Sequence, residues 1–205
     1  MAFPDVWDVG NLVRVAITSD TTGSSGWIEI EPIVTSIKFS PGKKGVEQLV
    51  TVGGGRLLKR TPQEMWSLEF EGTWVGNSIT TSDSNLGPDQ FFDQSGTYDS
   101  TSTISSIPSR GQNTFMVMVL FTTDFTNTTA QGSTTSTSYS YRLGVQNAKL
   151  TERTMDYDNA LKGSFKFEGT VFQKDGSTNN YKTESSPTGA GALAAITASS
   201  WFSTS

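Results

Sequence analysis

Hydrophobic and polar positions alternate with a period of two over much of the chain, the pattern of strands with one buried face. Over residues 12–17, apolar side chains at Val13, Val15 and Ile17 predict a short strand. A Gly/Ser/Thr turn at 20–26 follows. Trp27, Ile28 and Ile30, then Ile33, Val34, Ile37 and Phe39, predict two strand pieces meeting at Pro32, a residue suited to a bulge or an edge. Next, Trp66, Leu68 and Phe70 alternate with Ser67, Glu69 and Glu71, and Trp74 extends the apolar side. Residues 114–123, TFMVMVLFTT, are continuously apolar and predict a central strand covered on both faces. Tyr139, Tyr141, Leu143 and Val145 then alternate with Ser140, Arg142, Gly144 and Gln146. A further strand over 148–154 and a turn at 155–159 lead to a last one, in which Leu161, Gly163, Phe165, Phe167, Gly169 and Val171 face one way. Beyond residue 173 the periodicity fades.

Three segments interrupt this pattern. Residues 40–63 are too long and Gly-rich for a tight turn yet contain the β-like VEQLVTV, which predicts a long projecting hairpin. Residues 124–138 are almost entirely Thr, Ser, Asn and Gly, a composition expected to form a mobile loop. Pro88 and Asp89 open a short helix that would bury Phe91 and Phe92. The resulting expectation is a mainly β protein: a single β-sandwich or barrel domain over 1–184 with one short flanking helix. Extended arms at 1–10 and 185–205 complete it, the second carrying Trp201 and Phe202, unusual residues for a solvated tail.

An internal repeat stands out. SLEFEGTW at 67–74 and SFKFEGTV at 164–171 agree at Ser, Phe, Glu, Gly and Thr, and each follows an Arg-Thr pair, Arg60-Thr61 or Arg153-Thr154. A strand precedes each, so the repeated unit reads as a strand–connection–strand hairpin. Convergence of short amphipathic strands on one pattern is the alternative origin.

Composition removes most chemistry. The 205 residues contain no cysteine and no histidine, which excludes disulfides, thiolate or imidazole zinc sites and Ser-His-Asp triads. A net charge of −5 argues against a general nucleic-acid or anionic-membrane binder. No run approaches the roughly 18 apolar residues of a membrane span, and the first residues lack the pattern of a signal peptide, so export by the general route is not expected. VGGGRLLKR at 52–60 lacks the Lys-Ser/Thr end of a phosphate-binding loop. Asp156, Asp158 and Asn159 lack the glycine and terminal glutamate of a calcium loop and read as a turn. Glu64, Asp89, Asp93 and Asp156 are paper candidates for a paired-carboxylate hydrolase, but they sit in turns or on solvated strand faces. No catalytic, cofactor-binding or metal-binding residue is assigned.

Charge placement says more. Between residues 40 and 60, Lys43, Lys44, Arg56, Lys59 and Arg60 against Glu47 give +4, while the rest of the chain is −9. A basic hairpin on an acidic body suits head-to-tail association, in which a heterologous contact propagates into rings or filaments.

Residues 33–74 (IVTSIKFSPGKKG…FEGTW) and 141–172 (YRLGVQNAKLTERT…FEGTVF), somewhat under half the chain, resemble the major tail tube proteins of long-tailed bacteriophages or archaeal tailed viruses. Inner tubes of contractile injection machines share that fold. The resemblance implies a structural virion protein whose copies close into hexameric rings that stack into a tail tube, through which DNA passes without specific binding. It implies that loop 40–63 and both arms reach neighbouring subunits, with Lys43, Lys44, Glu47, Arg56, Lys59, Arg60, Trp7, Trp201 and Phe202 at the contacts. Its implied partners are further copies, tail completion or initiator proteins and a tape-measure protein, with no membrane and no cofactor; its location is the virion tail, assembled in the host cytoplasm. The loop at 124–138 is longer than such a fold requires. A conduit for DNA should repel phosphate, so Glu29, Glu31, Glu69, Glu71 and Glu168 are expected to line the lumen. The competing expectation is a monomeric carbohydrate-binding or adhesin-like β-sandwich using Trp7, Trp27 and Trp201.

Overall fold

The structure is a computed structural model and describes residues 12–18, 27–43, 45–60, 64–80, 114–123, 129–156, 162–173, 176, 178–186 and 192–196. The apolar run becomes a strand buried on both faces, as its composition predicts. In chain order the strands are β1 (Leu12–Thr18), β2 (Ile28–Ser40), β3 (Val46–Val50), β4 (Arg56–Arg60) and β5 (Trp66–Thr80). They continue with β6 (Phe115–Thr122), β7 (Ser140–Asp156), β8 (Lys162–Gly169) and β9 (Tyr181–Ser186). The described residues contain no helix; the helix expected near Phe91 lies outside them.

The main sheet runs β6-β1-β2-β5-β8-β7-β9, and β6 pairs with β7 as well as with β1. Six strands therefore close on themselves as an antiparallel barrel, which removes most free edges. β3 and β4 form a separate two-stranded sheet. Pro32 sits at a register shift within one continuous β2, the bulge expected of it.

Period-two alternation fills the barrel. Val15, Ile17, Trp66, Leu68, Phe70, Val117, Val119, Phe165 and Phe167 belong to one buried cluster. Phe70 and Phe167 stack with centroids 6.0 Å apart, and Phe115 meets Phe167 edge-on at 5.9 Å. Gly169 is required where it stands, because a Cβ there would lie 2.6 Å from the Trp66 ring. The repeated octapeptides are neighbours on β5 and β8. Glu69 pairs with Lys166, its equivalent in the repeat, so a local two-fold axis passes between them and relates Phe70 to Phe167 and Leu68 to Phe165. Each belongs to a hairpin, β2–β5 or β7–β8, and only the first carries an inserted excursion.

Four expectations are corrected. First, β7 is one continuous strand from 140 to 156, bent where Gln146 and Asn147 oppose a single β6 residue and Asn147 takes a positive φ of 54°. Second, order persists beyond residue 173. β9 pairs with the first half of β7 along the edge that β8 leaves, although its sequence YKTESS has no apolar alternation. The junction is built around Asn180, only 1% exposed. Its Nδ2 donates to the Thr170 and Phe172 carbonyls at 2.9 and 3.0 Å and to Thr170 Oγ1 at 3.1 Å, while its Oδ1 accepts from Asn147 Nδ2 at 2.9 Å.

Third, the polar side of β7 is not solvated. Ser140, Arg142 and Gln146 are buried, and Tyr141 is the more exposed neighbour. Fourth, residues 129–138 are tied down. Ala130, Thr134 and Ser138 are buried; Thr134 N–H donates to the Leu193 carbonyl, and Leu193 N–H donates back to the Thr134 side-chain Oγ1. Short hydroxyl side chains find partners locally, as in the Thr122–Ser140–Ser138 chain at 2.8 and 3.0 Å. Together with 192–196, this segment covers a second apolar cluster of Ala16, Met116, Met118, Leu120, Ala130, Leu193 and Ile196 on the outside of β1 and β6. Arg142, fully buried, fastens both covers by donating to the Ala194 and Gly132 carbonyls, with Glu184 at 3.6 Å. Burial lowers its pKa and Glu184 opposes that shift.

Candidate assembly interface

The excursion between β2 and β5 is the projecting hairpin that its sequence predicts. β3 and β4 pair from Val46 opposite Arg60 to Val50 opposite Arg56, and every residue from 46 to 59 is exposed. The Gly-rich run is its turn: Thr51 N–H donates to the Gly55 carbonyl at 2.8 Å and Gly54 takes a φ of 79°. At the base, Glu64 N–H donates to the Lys43 carbonyl at 3.1 Å. Gly42, at φ 81°, is pinned against the Glu64 carbonyl, where no Cβ fits.

Cross-strand partners share a face, which makes the hairpin apolar on both sides. One face bears Val46, Gln48, Val50, Arg56 and Leu58; the other bears Glu47, Leu49, Leu57 and Lys59. Val46, Leu49, Val50, Val52, Leu57 and Leu58 are between 42% and 110% exposed. An isolated two-stranded sheet is marginal in water, and this one holds a group of aliphatic side chains out in solvent. Burying one such side chain contributes roughly 1.5–3 kcal/mol.

Sequence reasoning placed the contact in Lys43, Glu47, Arg56 and Lys59, and the structure puts these four on the exposed hairpin or its base. It missed the six aliphatic residues. Their signal was present: apolar residues in a segment too far from the core strands to be buried by them. Arg60 closes β4, while Lys44, Trp7, Trp201 and Phe202 lie outside the described residues.

Glu69, Glu71 and Glu168, expected at a lumen, share one outer face of the barrel, where they stand among lysines. Lys38, Glu69, Lys166 and Glu152 succeed one another across β2, β5, β8 and β7. Lys166 also pairs with Glu168 at 2.9 Å, and its pKa is raised first by that hydrogen bond and the Glu168 charge, with Glu152 and Glu69 adding to it. Alternating signs thus offset one another in the rows around Lys166. Glu29 and Glu31 fall within β2, Glu29 opposite Thr80.

The remaining candidates do not converge. Glu64 lies at the hairpin base and Asp156 at the far end of β7; Asp89, Asp93, Asp158 and Asn159 lie outside the described residues. Trp27, a proposed sugar platform, is half-buried against the Met116–Leu120 cluster. Among the described residues no group of three or more acidic side chains is placed to hold a metal ion, and no helix is long and apolar enough to cross a membrane.

No protein-family model and no curated protein matches the chain. Among solved structures it is similar to the anti-feeding prophage tube-terminating cap, at 7% identity and TM-score 0.45, over 90% of this chain and 93% of that one. It is likewise similar to a chain of the extended sheath–tube complex of an extracellular contractile injection system, at 8% identity and TM-score 0.46, over 90% and 99%. A chain of the anti-feeding prophage baseplate gives 11% identity and TM-score 0.48, over 90% and 97%. Likeness at this level bears on neither family nor function.

Proposed function

We propose that the protein is a non-catalytic structural subunit that polymerises head to tail into a tube, as the resemblance of its two hairpin segments to viral tail tube proteins implies. The observation that carries this reading is the hairpin of residues 46–60. It is apolar on both faces, basic along its length and base, and separate from a barrel whose own sheet is closed. A fixed projection meeting a different surface on the next copy is a heterologous contact, and it repeats into rings or filaments. In this reading the copies form hexameric rings that stack around a conduit for DNA, with tail initiator and tape-measure proteins as partners.

Negative-stain electron microscopy over a concentration series tests it, comparing the intact chain with Leu57→Asp/Leu58→Asp. Both residues are exposed, so the variant keeps the fold while losing the contact. Stacked rings or tubes for the intact chain, absent from the variant, are expected. Assemblies unchanged by the variant, or an intact chain that is monomeric throughout, would overturn the proposal.

A further inference from the structure

We infer that the hairpin is received by the outer face of the β5–β8–β7 sheet of a second copy, at the barrel end opposite its own hairpin. This rests on the assembly reading above. The hairpin leaves the barrel between Ser40 and Trp66, at the end where β8 finishes at Gly169. At the other end Lys162 starts β8, Asp156 finishes β7 opposite it, and β5 has passed Glu71. A projection at one end and a receiving surface at the other give a contact that repeats by translation and rotation without closing on a dimer.

The surface there is indented. A groove of about 320 Å³ is bounded by the exposed Glu71 and Asp156, with Lys162 and Thr154 beside them. Gly72 and Gly163, paired at its floor, present only backbone to it, since the strand period turns that pair's Cβ positions toward the barrel interior. Glu71, Glu152, Thr154, Asp156 and Lys162 on this sheet face are exposed. Charge selects the occupant: the hairpin carries Lys43, Arg56 and Lys59 against Glu47, while this end of the sheet carries Glu71 and Asp156 against Lys162. Five residue pairs make a ribbon about 17 Å long, shorter than the eight-residue β8 it would lie along. Glu71 thereby becomes a docking residue and leaves the lumen set, while Glu69 and Glu168 remain in the ladder with Lys38 and Lys166.

The absence of cysteine makes the test clean. A chain with Leu57→Cys and Ser164→Cys should give a ladder of disulfide-linked multimers under mild oxidation, and Leu57→Cys with Lys182→Cys on β9 should not. Separately, Arg56→Glu/Lys59→Glu and Glu71→Lys/Asp156→Lys should each raise the critical concentration for assembly at least about tenfold, and an equal mixture should restore it. Tubes that depend on the hairpin, but show no 57–164 ladder and no mutual rescue, would overturn this inference and leave the assembly reading intact. A 57–182 ladder would do the same and place the contact on β9. An intact chain that forms no assemblies would overturn both.

Discussion

Asn180→Asp exchanges one atom in a buried site and should have a pH-dependent cost. In the native protein the Asn180 amide nitrogen faces the Thr170 and Phe172 carbonyl oxygens at 2.9 and 3.0 Å. The substitution replaces that donor with an oxygen, so the bonds to both carbonyls are lost and a carboxylate is pressed against them, while the Thr170 hydroxyl can turn to donate. Two net hydrogen bonds at about 1 kcal/mol each, with the desolvation of a charge opposed by carbonyl dipoles, give about 3 kcal/mol at pH 7. In a chain of this length that is about 6–12 °C in Tm. The new carboxyl should titrate above its unfolded value, because burial and the carbonyls both favour its neutral form. The native state of the variant then binds a proton more readily than the unfolded chain. Its deficit is therefore full above the folded pKa and shrinks as pH falls through that value, where the acid O–H donates again.

Urea unfolding followed by tryptophan fluorescence, with the unmodified chain measured at each pH, reads the difference. Asn180→Ala provides the reference, with a loss of about 2 kcal/mol that does not vary with pH. A deficit for Asn180→Asp below 1 kcal/mol at pH 7, or one that grows towards pH 4, would refute the donor assignment and the role of Asn180 in joining β8 to β9.

Two other outcomes are expected. Gly169→Ala should destabilise by about 1–3 kcal/mol and alter the near-ultraviolet circular dichroism, since its Cβ would meet the Trp66 ring at 2.6 Å and the Asn147 carbonyl at 3.0 Å. Arg142→Met removes a buried charge together with the bonds to Ala194 and Gly132, so global stability should change by less than about 2 kcal/mol. In hydrogen exchange, however, the Leu193 and Ile196 amides, which donate to Thr134 Oγ1 and the Gln131 carbonyl, should exchange at least about tenfold faster while β6 is unaffected. Unchanged exchange at those two amides would show that Arg142 does not fasten the cover.

Much of this protein was legible in local sequence. Alternation placed Trp66, Leu68, Phe70, Phe165 and Phe167 inside, because a strand's period fixes which side chains share a face. The unbroken run at 115–120 marked the strand covered twice, and glycine with basic residues marked the hairpin. What the sequence left open was pairing. All strands offer the same N–H and C=O groups along their edges, so closure of the barrel through β6 and β7 became visible only in three dimensions. The same holds for β9: YKTESS is a strand because an edge of β7 is vacant beside Asn180, not through any preference of its own residues. Arg142 shows the point most sharply. Its place among polar alternates reads as solvated, yet residues 129–138 and 192–196 fold over it and supply the carbonyls that make burial tolerable. Period and composition are properties of a segment and travel with it; the partners that satisfy a buried polar group or a free edge come from distant segments, and only the tertiary structure brings them together.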